Sequence, residues 1–161
     1  FLYGSGQSAE FRAGFYGLAG WHREGHLLRA LFEGVMFEHR RHIDVLKDAG
    51  VSFDKAVLSG GGSRSEHWPQ IFADGLGVPI TVPEARETGA LGAAIGAGVG
   101  AGLFADYESG VDAMTRPRAA YRPDPAMQRH YARRYRAYCG LADTLRSFWT
   151  EQAAGPGRAA E

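Results

Sequence analysis

Three consecutive glycines, Gly60-Gly61-Gly62, have the residue type and setting best suited to binding a ligand. They follow a short apolar run that predicts a buried strand, and residues at helical spacing come after them. A strand that passes through glycines into a helix presents bare backbone N–H groups beside the positive end of the helix dipole. Glycine also lets a flat ligand lie against the main chain, because no Cβ intervenes. The segment predicts a site for phosphate or a nucleotide, although on physical grounds alone such a turn is more often only a turn.

Other residues that could do chemistry have simpler structural interpretations. His22 and His26 are four residues apart and could share a metal ion, but the pattern offers no third ligand. Asp74 and Glu87 could form an acid and base pair. However, Asp74 is predicted in the middle of a helix, and Glu87 just before a helix N-terminus, where the dipole stabilises a carboxylate. We therefore expect no metal site and no catalytic residue in this chain.

The elements around the glycines alternate between helix and strand. From Arg23 onward, apolar residues at helical spacing predict a long amphipathic helix that stops at Gly50. Residues 55–59 predict a buried strand, and residues 78–83 predict a second strand near a sheet edge, because prolines flank it. This order favours an α/β fold with parallel strands. Further strands would have to lie in residues 1–20 or in a part of the protein upstream of this chain.

The remaining helices are predicted from their caps and composition. Ser63-Arg64-Ser65-Glu66 has the form of a capping box, which predicts a helix directly after the glycines. Thr88 is predicted to cap a buried helix that extends to Phe104 and is too short to span a bilayer. Its regularly spaced glycines are expected to allow close packing: Gly92, Gly96 and Gly100. A weaker helix is predicted over 108–115, and a last long one with Pro125 at its first position.

Composition excludes several classes of function. The chain has 161 residues, of which 45% are hydrophobic, and its 18 basic residues balance 18 acidic ones. A balanced charge gives no field that would attract nucleic acid or an anionic membrane. The single cysteine, Cys139, suits a reducing compartment, and no signal peptide is recognised at the N-terminus. We expect a cytoplasmic protein with small-molecule partners.

Four ordered segments resemble the FGGY family of carbohydrate kinases. Residues 57–74 resemble the family's adenosine motif, a glycine turn followed by a small polar residue, Trp, Gln and Ala-Asp. Residues 13–18 (AGFYGL), 26–35 (HLLRALFEGV) and 87–94 (ETGALGAA) are similar to the same family in the same order. Four segments in order identify a family far more specifically than one motif does.

The resemblance implies the ribonuclease H-like, actin-type ATPase fold, in which two α/β domains close over ATP and a sugar or polyol. Residues 1–150 would form most of the C-terminal part of the second domain, and residues 151–161 would be a disordered tail. The intact enzyme would use ATP and Mg²⁺ to phosphorylate a small sugar, ketose or polyol. The opening residues Phe1-Leu2-Tyr3-Gly4-Ser5 are closest to relatives acting on L-xylulose and related substrates.

The resemblance also implies which residues touch the nucleotide. Gly60 and Gly61 would lie along it, with Gly62 in the same turn, and Ser65 would stand where many relatives have an Asn that helps hold adenosine. The catalytic aspartate and the phosphate-binding segments would lie upstream, so the isolated chain should be inactive. The alternative is a non-catalytic nucleotide-binding or regulatory module of the same fold. Without upstream strands the long helix and the sheet edge should be partly uncovered, which predicts a homodimer or weak stability.

Overall fold

The structure, a computed structural model, describes residues 13–154. The chain divides into two compact units, one reaching to Ser52 and resuming at Pro125, the other comprising Phe53–Asp124. Residues 13–20 contain neither helix nor strand, so the described part of residues 1–20 supplies none of the further strands. The rest of that segment and residues 155–161 of the predicted tail lie outside the described residues. None of the helices described is long and apolar enough to cross a membrane.

Five α-helices, three strands and one 3₁₀ turn follow one another along the described chain. In order they are α1 (Glu24–Asp48), β1 (Ala56–Val57), the 3₁₀ turn (Gly61–Arg64), α2 (Trp68–Leu76), β2 (Ile80–Pro83), α3 (Thr88–Gly100), α4 (Tyr107–Met114), β3 (Pro117–Tyr121) and α5 (Pro125–Ala154). The predicted opening of the last helix at Pro125 is confirmed. This helix extends four residues into the predicted tail, to Ala154.

Helix α1 begins and ends as its sequence predicts. The imidazole Nδ1 of His26 accepts a hydrogen bond from the backbone N–H of Arg23 at 3.0 Å, which satisfies one free donor at the helix start. Gly50 follows the helix with φ of 88°, a conformation that favours glycine. Met36 and Phe37 are buried, whereas much of the predicted apolar stripe is exposed: Leu28, Leu31, Phe32 and Leu46. The expectation that this helix is partly uncovered is confirmed.

Helix α5 is held to α1 by three hydrogen bonds between tyrosine hydroxyls and carboxylates. Tyr131 donates to Glu33 (3.0 Å), Tyr135 to Asp44 (2.6 Å) and Tyr138 to Glu38 (2.5 Å). The ring of Phe37 lies 5.2 to 6.1 Å from the three tyrosine rings. Within α1, Arg29 donates to Glu33 at 2.8 Å, a contact between residues four apart on one helix face. We call the three hydrogen bonds from Tyr131, Tyr135 and Tyr138 to their carboxylates the tyrosine–carboxylate bonds.

The sheet in the second unit has three strands in the order β1-β2-β3. Strands β1 and β2 are parallel, as predicted, and β3 pairs antiparallel with β2. The prediction that residues 78–83 form a strand near a sheet edge is wrong, because β2 lies between β1 and β3 in the described sheet, and Ile80 and Val82 are each only 1% exposed. The burial predicted for the strand over residues 55–59 is also wrong, since Val57 is 70% exposed. Two strands were predicted in this region, and the third strand, β3, was missed. Strand β3 has Ala119 and Ala120 at its centre, without the β-branched residues that mark strands, so its pairing with β2 determines its conformation.

The predicted capping box at Ser63 is also wrong. The chain leaves the glycines through the 3₁₀ turn, and the Ser63 hydroxyl donates to the carbonyl of Gly60 at 2.7 Å within that turn. Helix α2 begins later, at Trp68. The hydroxyl oxygen of Ser65 accepts hydrogen bonds from the backbone N–H groups of His67 and Trp68, both at 3.2 Å. Ser65 therefore caps this helix start in place of Ser63.

Helix α3 differs from its prediction in its cap and its burial. Glu87 occupies the N-cap position and makes no side-chain cap bond, so Thr88 is the first helical residue and not the cap. Only Ile95 and Gly98 of this helix are buried, because the described residues cover little of its surface. The expectation of a buried helix is therefore not met in this chain.

The glycines that allow close packing are different from those predicted. Among the described residues, no heavy atom outside the helix backbone lies within 4 Å of the position a Cβ would take at Gly92 or Gly100. At Gly96 a Cβ would lie 3.9 Å from Cε1 of Tyr107, which is an ordinary contact and not a close one. At Gly98 and Gly110, by contrast, a Cβ would lie 2.7 Å from the side chains of Phe104 and Ile95, respectively. Close packing therefore occurs between α3 and α4. Helix α4 confirms the weak helix predicted over 108–115, and the Asp106 carboxylate caps it by accepting from the Ser109 N–H at 2.8 Å.

Candidate functional site

The glycine turn leaves one face of its backbone open. Gly60 has φ of 85° and ψ of −171°, a backbone conformation that residues other than glycine rarely adopt. Gly61 opens the 3₁₀ turn and is exposed. Apart from its chain neighbours, no heavy atom of residues 13–154 lies within 4 Å of the position its Cβ would occupy. A flat ligand can therefore approach the main chain at Gly60 and Gly61 without meeting a side chain.

Gly62 has a different environment from its two neighbours. A Cβ at Gly62 would lie 2.5 Å from Cε3 of Trp68, closer than such atoms approach in proteins. The indole of Trp68 packs in turn near Phe72, with ring centroids 6.0 Å apart. Gly62 therefore cannot carry a side chain, because its backbone packs directly against the indole of Trp68, the first residue of α2.

Ser65 contributes to the local fold and retains a donor for a ligand. Both of its hydrogen bonds, to the N–H groups of His67 and Trp68, use the hydroxyl oxygen as acceptor. A serine hydroxyl has one hydrogen to donate in addition to its acceptor lone pairs. The side chain can therefore cap α2 and donate to a ligand at the same time.

Two further residues of the motif hold the unit together. The Asp74 carboxylate is buried and accepts from Gln70 Nε2 at 2.8 Å and from the Asp124 N–H at 2.7 Å. Gln70 Nε2 also donates to the carbonyl of Arg122 at 2.9 Å. Buried polar groups need such partners, since an unpaired one costs about 1–3 kcal/mol. Asp74 lies within α2, as predicted, and its carboxylate serves these structural hydrogen bonds.

A cavity of about 560 Å³ lies beside the glycine turn. We call it the arginine cavity, because its walls include Arg64 of the turn, Arg86 of the β2–α3 loop and Arg118 of β3, together with Ser63 and Glu84. Arg64 donates to Glu87 at 3.2 Å, and Arg118 donates to the carbonyl of Ser63 at 2.8 Å. The structure thus brings Ser63, next to the predicted glycines, together with three arginines.

These arginines were missed because none of them is a defining residue of a motif, although Arg64 lies within the segment that resembles the adenosine motif, and because they are far apart in the chain. A signal was nevertheless present for two of them. Arg64 and Arg86 follow the carboxyl ends of two strands predicted to be parallel, and in α/β proteins ligands bind at that edge of the sheet. Arg118 gave no such signal, since β3 was not predicted.

The two histidines near the start of α1 make structural contacts. Their rings lie 5.6 Å apart, and Trp21 stacks on His22 at 3.8 Å. The Nδ1 atom of each ring lies within hydrogen-bond distance of a backbone N–H, that of Ala19 or Arg23. Within residues 13–154, no group of three or more His, Cys, Asp or Glu side chains could hold a metal ion.

The fold corresponds to that of solved sugar kinases. The xylulose kinase from Rhodospirillum rubrum is 37% identical, with a TM-score of 0.76 over 85% of this chain and 28% of that one. A ligand-bound xylulose kinase from Lactobacillus acidophilus shares the fold at 24% identity, with a TM-score of 0.81 over 89% of this chain and 29% of that one. The parallel pair, the glycine turn and the helices thus form part of a domain of the ribonuclease H-like, actin-type ATPase fold.

Residues 4–101 match the C-terminal domain of the FGGY family of carbohydrate kinases, and the chain belongs to that family. It is 34% identical over 148 residues to the L-xylulose/3-keto-L-gulonate kinase of Escherichia coli strain K12, covering 92% of this chain and 30% of that protein. It is 32% identical over 150 residues to the probable L-xylulose kinase of Haemophilus influenzae, covering 91% of this chain and 30% of that protein. The chain therefore spans about 30% of the length of these relatives.

Proposed function

We propose that the full protein transfers the γ-phosphoryl group of ATP to a hydroxyl of a small sugar, ketose or polyol, and that this chain supplies the adenosine side of the cleft. The products are ADP and a phosphate ester, and the hydroxyl proton passes to a base elsewhere in the protein. A ketose such as L-xylulose is the substrate class that the names of the relatives support. Mg²⁺ would accompany the ATP, as in phosphoryl-transfer enzymes generally.

The observation that carries the proposal is the open backbone at Gly60 and Gly61 within the family's adenosine motif. The main chain at Gly61 is exposed, and the described residues place no side chain within 4 Å of its Cβ position, which leaves room for a flat purine. Ser65 lies four residues further on, with a hydroxyl hydrogen to donate to the nucleoside. Gly62 keeps the turn seated on Trp68.

The use of ATP and the state of the single cysteine both support a cytoplasmic location for the protein. The proposed reaction consumes ATP, and the single cysteine of the chain, Cys139, is not part of a disulfide. Disulfides are rare in reducing compartments, where cysteines remain free thiols.

Product formation tests the proposal directly. The full protein would be incubated with MgATP and, one at a time, a panel of ketoses and polyols including L-xylulose and D-xylulose. ADP release and phosphate-ester formation would be followed by ³¹P NMR. We expect equimolar ADP and phosphate ester with at least one member of the panel, and neither product without Mg²⁺. Saturable ATP binding without phosphate transfer to any member would contradict the kinase proposal and favour a regulatory module.

A further inference from the structure

We propose that the arginine cavity is a binding subsite for a phosphate-type dianion, beside the glycine turn and distinct from the adenosine contact. Its volume of about 560 Å³ lies within the range of roughly 300–1,000 Å³ of cavities that hold small molecules. It lies at the carboxyl end of the parallel pair β1 and β2, the edge at which α/β proteins bind ligands. The inference does not rest on the proposed kinase function.

The walls of the cavity are fixed to one another before any ligand binds. Arg118 joins β3 to the turn through the Ser63 carbonyl at 2.8 Å, and the Glu84 N–H joins the β2–α3 loop to β3 through the Arg116 carbonyl at 2.8 Å. Arg64 and Glu87 form an exposed ion pair at 3.2 Å, a weaker link between the turn and the start of α3. Fixed walls lower the ordering cost of binding, so less of the interaction free energy is lost.

The charges around the cavity favour an anion. Three guanidinium groups line it against one carboxylate, that of Glu84, and Glu87 neutralises Arg64 from outside. The balance of three positive and two negative charges leaves one net positive charge. Each guanidinium has five N–H donors in a planar fork that matches phosphate oxygens, and the contacts to Glu87 and Ser63 occupy one donor each on Arg64 and Arg118.

Arg86 is exposed and is the arginine of the cavity with all of its donors available to a ligand. Within the part of the chain that the structure describes, its side chain makes no hydrogen bond and no ion pair, although it lines the cavity. Helix α3 begins two residues later, at Thr88, and its N-cap residue supplies no side-chain cap. The positive end of the helix dipole therefore adds to the field of Arg86.

The test is calorimetric titration of the protein with inorganic pyrophosphate at constant ionic strength. We expect saturable binding by the wild type and about tenfold weaker binding by Arg86→Gln, because a hydrogen-bonded charge contact is lost. Arg122→Gln is the matched control. Arg122 is exposed on the same unit, lies outside the cavity and undergoes the same loss of charge. Binding by this variant should stay within about twofold of wild type, because the charge removed at Arg122 lies outside the cavity and is screened by salt.

Two results would overturn the proposal: no saturable pyrophosphate binding by the wild type, or equal weakening in the Arg86→Gln and Arg122→Gln variants. Adenosine and ATP then identify the source of the dianion. If pyrophosphate still binds in the presence of saturating adenosine, the cavity is a subsite separate from the adenosine contact at the glycine turn. Displacement by ATP would assign the cavity to the nucleotide's own phosphates, and simultaneous binding with ATP would assign it to a second phosphorylated ligand. If adenosine itself fails to bind, the proposed function fails while the pyrophosphate result still stands.

Discussion

Gly61 and Gly62 are adjacent in sequence, but a methyl group would have opposite effects at the two positions. At Gly61 the methyl group would point into open space, whereas at Gly62 it would overlap the indole of Trp68. Sequence alone assigned all three glycines of the turn to the nucleotide. The structure separates an open pair, Gly60 and Gly61, from Gly62, which is needed for packing. The separation allows the ligand contact and the fold to be tested by different substitutions.

Gly62→Ala should destabilise the protein by about 1–3 kcal/mol, because the added methyl group forces Trp68 out of its place. Gly61→Ala should change stability by less than about 1 kcal/mol, since its methyl group meets nothing and alanine restricts the unfolded chain. Urea denaturation of both variants measures the difference. If the two variants unfold at the same urea concentration, the packing role of Gly62 is wrong.

At the residue scale, sequence analysis located the turn but not the roles of its neighbours. The Ser-x-x-Glu pattern suggested that Ser63 starts the helix, yet the 3₁₀ turn uses the Ser63 hydroxyl and transfers the capping to Ser65. Arg118 reaches the turn from more than fifty residues away through the Ser63 carbonyl. Neither outcome follows from local spacing, because both depend on how the backbone leaves the last glycine.

At the scale of elements, the tyrosine–carboxylate bonds make the pairing of α1 and α5 sensitive to high pH. Burial, together with the hydrogen bond to a carboxylate, raises the pKa of both Tyr135 and Tyr138 well above the ordinary value for tyrosine. An ionised tyrosine at either position would face Asp44 or Glu38 at hydrogen-bond distance. The neutral phenols are therefore the form that the folded state requires.

The sign of the pH effect follows from proton binding. Above about pH 10 the tyrosines of the unfolded chain lose their protons, while those of the folded chain keep them. Stability is therefore fully present below about pH 10 and falls as the pH rises further. The double variant Tyr135→Phe/Tyr138→Phe should be less stable than wild type at pH 8, but should lose less stability between about pH 9 and 11.

Thermal unfolding across that pH range measures the effect, with Tyr107→Phe as the control. Tyr107 is 65% exposed, and its substitution should leave the wild-type pH profile unchanged. A double variant whose melting temperature falls in parallel with that of the wild type would show that these two tyrosines do not cause the alkaline loss.

Helices and strands with a clear pattern of apolar residues could be predicted from the sequence, whereas β3, which depends on its pairing with β2, could not. Helix α1, the parallel pair and Pro125 at the start of α5 were expected from apolar spacing, glycine stops and the proline rule. Strand β3 was missed because Ala119 and Ala120 prefer helices, and its hydrogen bonds come from the neighbouring β2. For α3 the boundaries were nearly right and the burial was wrong, since burial depends on surfaces distant in sequence.

At the scale of the whole molecule, the chain leaves large apolar side chains uncovered. Leu28, Leu31 and Phe32 of α1 are 43% to 56% exposed, and Val57 of β1 is 70% exposed. The curated relatives are about three times as long as the matched region, and a protein of that length would have further chain to cover these residues. In the chain alone, the predicted homodimer or weak stability remains the expected consequence.

The dissociation constant of ADP for the full protein carrying Gly61→Leu tests whether the glycine turn contacts adenosine. Leucine at this position would project from the open face of the turn, where the adenosine is proposed to lie. Gly140→Leu is the matched control, because Gly140 is exposed in α5 and lies far along the chain from the turn. Among the described residues, no heavy atom outside the helix backbone lies within 4 Å of the Gly140 Cβ position. We expect Gly61→Leu to weaken ADP binding by at least about tenfold, equivalent to about 1.4 kcal/mol, with Gly140→Leu close to wild type. Equal ADP affinity in the Gly61→Leu variant and the wild type would contradict the assignment of the glycine turn as the adenosine contact.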